Sequence, residues 1–199
     1  NNNLENPPKE VIDQLIKIYN QGQLSIVTEK AHNLTKKYPK AILIWNLLGA
    51  ATSQIGMFDQ SIKAFENIII INPNFVDAHY NMGVALQSQG KYDEAIKCYE
   101  NTVSIKPNYV KAYGNMGVIL QNQGKLKEAI KAYRKAILLK PDYAEALNNM
   151  GVALHGQGKF AEAIKVYNKA ISIKHDYFEA YCNIGNIFKD QDNLEEAIK

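Results

Sequence analysis

At 199 residues and 46% hydrophobic content the chain is long enough for one or two folded domains, and its formal charge of +3 lacks the large, clustered basic excess of a nucleic-acid binder. Its two cysteines, Cys98 and Cys182, belong to no C-x-x-C or other ligand spacing, which predicts reduced, unpaired thiols. The longest aliphatic run, Ile68 to Ile71, is too short to cross a bilayer, and the polar start has no signal-peptide character, so a cytoplasmic protein without membrane contact is expected.

Residues 1–7 form a polar extension, and Asn1 to Glu10 are expected to cap one end of the fold. From residue 8 a pattern recurs every 34 residues. The first unit, 8–41, keeps Gly22 and Pro39 but carries Leu15 and Val27 where later units have small residues, which predicts a wider helix crossing. The second, 42–75, holds Gly49, Gly56, Ser61, Phe65 and Pro73.

The third unit, 76–109, shows the logic most plainly. His79, Met82, Gly83 and Leu86 fall at three- and four-residue steps, the mark of an amphipathic helix. Gln89-Gly90-Lys91 then breaks it, because glycine permits a tight reversal. A second helix is predicted from about Tyr92 to Ile105, with Ala95, Tyr99, Thr102 and Val103 on one face, ended by Pro107. Gly83 and Ala95 are expected to let the two backbones approach closely.

Units 110–143 and 144–177 repeat the scheme with Gly117, Ala129 and Tyr133, then Gly151, Ala163 and Tyr167; His175 replaces the closing proline of the latter. A partial unit, 178–199, has Gly185 but Asp192 at the turn position. Its apolar residues, including Ile184 and Phe188, are expected to lack full cover, which predicts self-association through the uncapped C-terminal repeat. The missing initiator methionine and a stop inside a repeat predict a segment of a longer protein.

The 34-residue period and its glycine, alanine, aromatic and proline offsets resemble the tetratricopeptide repeat over nearly the whole chain. The resemblance implies an all-α, right-handed superhelical solenoid of helix–turn–helix units, with the first helices lining a concave groove. It also implies a non-catalytic scaffold that binds a protein or an extended peptide. An alternative is the substrate-recruiting N-terminal arm of a larger bacterial enzyme, with a glycosyltransferase, sulfotransferase or methyltransferase domain beyond residue 199.

The candidate groove residues are indexed by the repeated glycine. Two positions before it stand Asn81, Asn115, Asn149 and Asn183; one after it, Val84, Val118 and Val152; three further on, Gln87 and Gln121, with His155 next in the series. Helical spacing puts them on one face. A side-chain amide offers both donor and acceptor, so a row of them suits the main chain of a peptide. The same amides also suit bonds to an adjacent helix. A similar asparagine ladder marks the repeats of O-linked N-acetylglucosamine transferases. The preceding position is Asn46, Tyr80, Gly114, Asn148 or Cys182, with no lysine for a carboxylate clamp.

Other features read as structure. Lys63, Lys97, Lys131, Lys165 and Lys199 form a ladder on the second helices, each but the first preceded three residues earlier by glutamate, as expected for solvated ion pairs. The four histidines stand at differing offsets and make no metal set. Gly156-Gln157-Gly158 is a hairpin turn without the lysine–serine of a phosphate loop. No cofactor and no catalytic residues are expected.

Overall fold

The computed structural model describes residues 6–191. Asn1 to Glu5 lie outside the described residues, as do Asp192 and the segment Asn193 to Lys199 expected to begin the last second helix. Among the described residues there are eleven α-helices and no strand. In chain order they are α1 (Lys9–Asn20), α2 (Leu24–Lys37), α3 (Ile42–Gln54), α4 (Phe58–Ile71), α5 (Val76–Ser88) and α6 (Tyr92–Ile105). They continue as α7 (Val110–Asn122), α8 (Leu126–Leu139), α9 (Ala144–His155), α10 (Phe160–Ile173) and α11 (Phe178–Asp190). The chain divides into two compact units, Asn1–Pro107 and Asn108–Lys199. The first holds α1–α6 as three hairpins; the second holds two hairpins and α11.

Each hairpin turn has one chemistry. At Gly90 φ is +75°, in the left-handed region open to glycine at no steric cost. The Gly90 amide donates to the Gln87 carbonyl at 3.0 Å and the Lys91 amide to the Leu86 carbonyl at 2.9 Å. This pair of bonds is the Schellman closure, which satisfies carbonyls that the helix end would otherwise leave open. The same two bonds recur at Gly22, Gly56, Gly124 and Gly158. None of the eleven helices has a side-chain cap at its start; acidic residues such as Asp77, Glu145 and Glu179 in the first turn complement the helix dipole instead.

The hairpins close around aromatic rings. Phe65, Tyr99, Tyr133 and Tyr167 are each no more than 1% exposed. Burying such a side chain contributes roughly 1.5–3 kcal/mol. A Cβ placed on Gly49 would meet the Phe65 ring at 2.7 Å, on Gly83 the Tyr99 ring at 2.7 Å, on Gly117 the Tyr133 ring at 2.4 Å and on Gly151 the Tyr167 ring at 2.5 Å. The space vacated by each glycine is taken by the ring sixteen residues later. The small partner still sits close, for the Ser61 hydroxyl donates to the Gly49 carbonyl at 2.9 Å.

The first hairpin has the wider crossing that Leu15 and Val27 predict, since α1 lies less closely on α2 than the other first helices do on their partners. Leu15 is 1% and Val27 0% exposed, so both fill the gap between the helices. On α11 neither Ile184 nor Phe188 is fully covered. Ile184 packs against the core of the second unit and Phe188 is half-buried, whereas Phe178 and Tyr181 are 76% and 53% exposed.

Candidate functional site

First helices stand next to one another within each unit, because each hairpin stacks on the one before it: α1, α3 and α5 in the first unit, α7, α9 and α11 in the second. In the second unit this brings three rows together. Asn115, Val118 and Gln121 on α7, and Asn149, Val152 and His155 on α9, are all half-buried. On α11 Asn183 is half-buried, while Asn186 and Lys189, next in the valine and glutamine rows, are exposed. In the first unit Asn81, Val84 and Gln87 occupy α5 in the same manner, and Leu47 at the asparagine position of α3 is buried.

Part of this amide set is already engaged. The Tyr99 hydroxyl donates to Gln87 Oε1 at 2.8 Å, and the Tyr133 hydroxyl to Gln121 Oε1 at 3.1 Å. Each glutamine oxygen thus anchors the ring that fills its own hairpin, and the –NH2 end remains for other contacts. The Asn183 amide donates to Asn148 Oδ1 at 3.1 Å, joining α11 to α9. Asn183 therefore sets the stacking of first helices, and Asn148, absent from the predicted site, is its buried partner at 4% exposure.

The series breaks at the fifth hairpin. His155 replaces the glutamine and donates from Nε2 to Asp190 Oδ2 at 2.8 Å, with its ring edge-on to Phe160. The Tyr167 hydroxyl is left buried with no hydrogen-bond partner among the described residues. Burial pushes the Tyr133 and Tyr167 phenols far up, and the neighbouring Tyr143 adds to the effect at Tyr133. Phe65 is the fourth member of this aromatic set, and residue 53 opposite it is serine: a ring without a hydroxyl needs no amide. This covariation between rows of the same chain was available in the sequence.

Two further contacts escaped the sequence reading. Trp45 Nε1 donates to the Pro39 carbonyl, and His79 Nε2 to the Pro73 carbonyl, each at 2.8 Å. The two residues share one repeat position and tie each first helix to the proline link before it. Glu196 and Lys199 lie outside the described residues; among the described residues Arg134 on α8 pairs with Glu162 on α10 at 3.8 Å, an ion pair between helices rather than within one. Both side chains are more than half exposed, so the contribution is at most about 1 kcal/mol. Cys98 is buried, Cys182 exposed, and neither is in a disulfide. Among the described residues no group of three or more His, Cys, Asp or Glu side chains is placed to hold a metal ion, and no helix is long and apolar enough to cross a membrane.

A family profile described as TPR repeat matches residues 119–158 and 153–192; two profiles described as tetratricopeptide repeat match residues 76–109 and 98–131. Among solved structures the chain is similar to MamA, at 27% identity and a TM-score of 0.74 over 79% of this chain and 86% of that one. It is similar in fold to YrrB, described as a TPR protein with an unusual peptide-binding site, at 20% identity and a TM-score of 0.74 over 87% and 90% of the two chains. A tetratricopeptide repeat protein from Parabacteroides merdae aligns at 14% identity and a TM-score of 0.82 over 96% of this chain and 75% of that one. No curated protein sequence matches. On its repeated hairpins and on the profiles spanning residues 76–192, the chain is a tetratricopeptide-repeat protein.

Proposed function

We propose that the chain is a non-catalytic interaction scaffold that holds an extended peptide on its first helices. The observation that carries this reading is the row of half-buried Asn115, Asn149 and Asn183 on three neighbouring helices, beside half-buried Val118 and Val152. In the first unit Asn81, Val84 and Gln87 present the same groups on α5. An amide hydrogen bond contributes about 1 kcal/mol net, so three or four give roughly millimolar binding at best. The valines must therefore supply apolar contact, and Gln87 and Gln121 bind through their –NH2 ends. The resemblance to transferase repeats that carry such a ladder, and the peptide-binding description of YrrB, support this reading by analogy.

The test is a variant with Asn81, Asn115, Asn149 and Asn183 changed to alanine, assayed against a peptide library with circular dichroism as the check on folding. Loss of binding by tenfold or more in a folded protein is expected, with little change in the control Lys97, Lys131 and Lys165 to glutamine. Unchanged binding in the asparagine variant overturns the proposal. The exposed Phe178 and Tyr181 favour a second contact, self-association through α11. A lower mass by sedimentation in Phe178→Glu, Tyr181→Glu is its expected signature.

A further inference from the structure

The first unit contains a cleft of about 600 Å³ between α2 and α4 that shares no residue with the asparagine, valine and glutamine rows. Trp45 and Leu48 of α3 form its apolar floor, with Ile55 and Met57 at the turn leading into α4. The α2 wall carries Ser25 and Glu29, the α4 wall Lys63. One junction further on, the same place is closed by a hydrogen bond. Gln89 Nε2 donates to Asp59 Oδ1 at 2.8 Å, tying the turn after α5 to the first turn of α4. Ile55 and Ser25 hold those two positions 34 residues earlier, so the bond cannot form at the cleft. Ile55 and Met57 are instead 38% and 39% exposed, and aliphatic side chains grouped at the mouth of an apolar cleft mark a contact surface.

Glu29 is a second departure from the repeat, which places Lys63, Lys97, Lys131 and Lys165 at that position in the next four units. The two walls of the cleft therefore bear opposite charges, where the corresponding pair one junction on is Lys63 and Lys97. Glu29 and Lys63 make no ion pair among the described residues, so both charges are available at the opening. Walls and floor are all helices, whose main-chain groups are spent on their own hydrogen bonds. An extended peptide would find no partners for its main chain there, whereas a helix brings its backbone bonds with it. From Trp45 to Ile55 the floor runs about 15 Å, roughly three helical turns.

We propose that this cleft docks an amphipathic helix of a partner protein, its apolar stripe on Trp45, Leu48, Ile55 and Met57, a basic flank beside Glu29 and an acidic flank beside Lys63. Flanking charges select partner and orientation in the same way between the helices of a coiled coil. The proposal is independent of peptide binding on the first helices, so the alanine variant of the four asparagines should bind this helix as wild type does.

The test uses tryptophan-free helical peptides of about sixteen residues that share one leucine stripe and differ in its flanks: lysine on one and glutamate on the other, lysine on both, or glutamate on both. Binding is read from the fluorescence of Trp45, the single tryptophan of the chain, with circular dichroism as the check on folding. Wild type should prefer the mixed-flank peptide about fivefold, the scale of an exposed ion pair. Glu29→Lys should transfer the preference to the peptide with glutamate on both flanks, and Lys63→Glu to the one with lysine on both. Ser25→Asp with Ile55→Gln, which supplies both ends of the closing bond, should weaken all three peptides about tenfold. No response to any peptide, a preference unmoved by the charge reversals, or undiminished binding after Ser25→Asp with Ile55→Gln overturns the proposal. A response to octanol alone, or a dimer abolished by Ile55→Gln with Met57→Lys in a protein that binds no peptide, overturns it in favour of a small amphiphile or a second copy of the chain.

Discussion

The three buried tyrosines are alike in burial and unlike in bonding. Tyr99 and Tyr133 each give their hydroxyl to a glutamine twelve residues earlier, whereas Tyr167 has none among the described residues because His155 has turned to Asp190. Removing a satisfied hydroxyl loses its bond and strands the acceptor; removing an unsatisfied one relieves a desolvation cost. Tyr99→Phe and Tyr133→Phe should therefore each destabilise by about 1 kcal/mol. Tyr167→Phe should be neutral or stabilising in the same denaturant titration. A uniform loss at all three positions would contradict these bonds. The positions of the rings followed from the repeat offset alone. Their partners did not, because the glutamines stand at a groove offset and turn inward only through a contact between helices.

Within a hairpin the glycine and the ring act as one device. Gly117 has no room for a Cβ because Tyr133 lies 2.4 Å from where that atom would be, and Tyr133 is fixed by Gln121. Gly117→Ala should cost about 1–3 kcal/mol by overpacking. In a double-mutant cycle it should couple strongly to Tyr133→Leu, whose smaller side chain vacates the clash. Gly124→Ala meets open space at φ +73°, so it should cost about 1–2 kcal/mol through backbone strain and add to Tyr133→Leu without coupling. Helix bounds were legible at this scale: the predicted second helix from Tyr92 to Ile105 is α6. The turn glycine and the following proline mark those ends by local backbone geometry. The packing glycine marks a contact sixteen residues away, and its partner emerges only when two helices meet.

The whole molecule carries a pH dependence written by burial. Desolvation, with Glu94 and Glu66 adding to it, pushes the Cys98 thiol up from 9.0 to about 11. Burial likewise raises Tyr133, Tyr143, Tyr167 and Tyr177 above 10.0, with Glu145 and Glu179 contributing at Tyr177. A folded state that keeps its proton longer than the unfolded one is fully favoured below the unfolded value and loses that advantage as pH rises. The Cys98 contribution to stability should thus be constant to about pH 9 and then fall by on the order of 2–3 kcal/mol through pH 11. Losses in the second unit should begin near pH 10, where its tyrosines ionise when unfolded. Denaturant titrations at successive pH values check this. Cys98→Ala, with the residue found at the equivalent positions 64 and 132, should remove the earlier decline.

The sequence by itself determined the repeat, the helical hairpins, the turns and which positions fall on the face of a first helix, since all of these follow from spacing along one or two helices. Tertiary structure decided what those side chains do. It gave Gln87 and Gln121 to the rings, bonded Asn183 to Asn148, left Phe178 and Tyr181 of α11 exposed, and opened a cleft between α2 and α4. A periodic pattern fixes direction and burial tendency within a helix. A hydrogen-bond partner or a cavity depends on where a second and third helix come to rest, and that is set by the summed packing of many side chains.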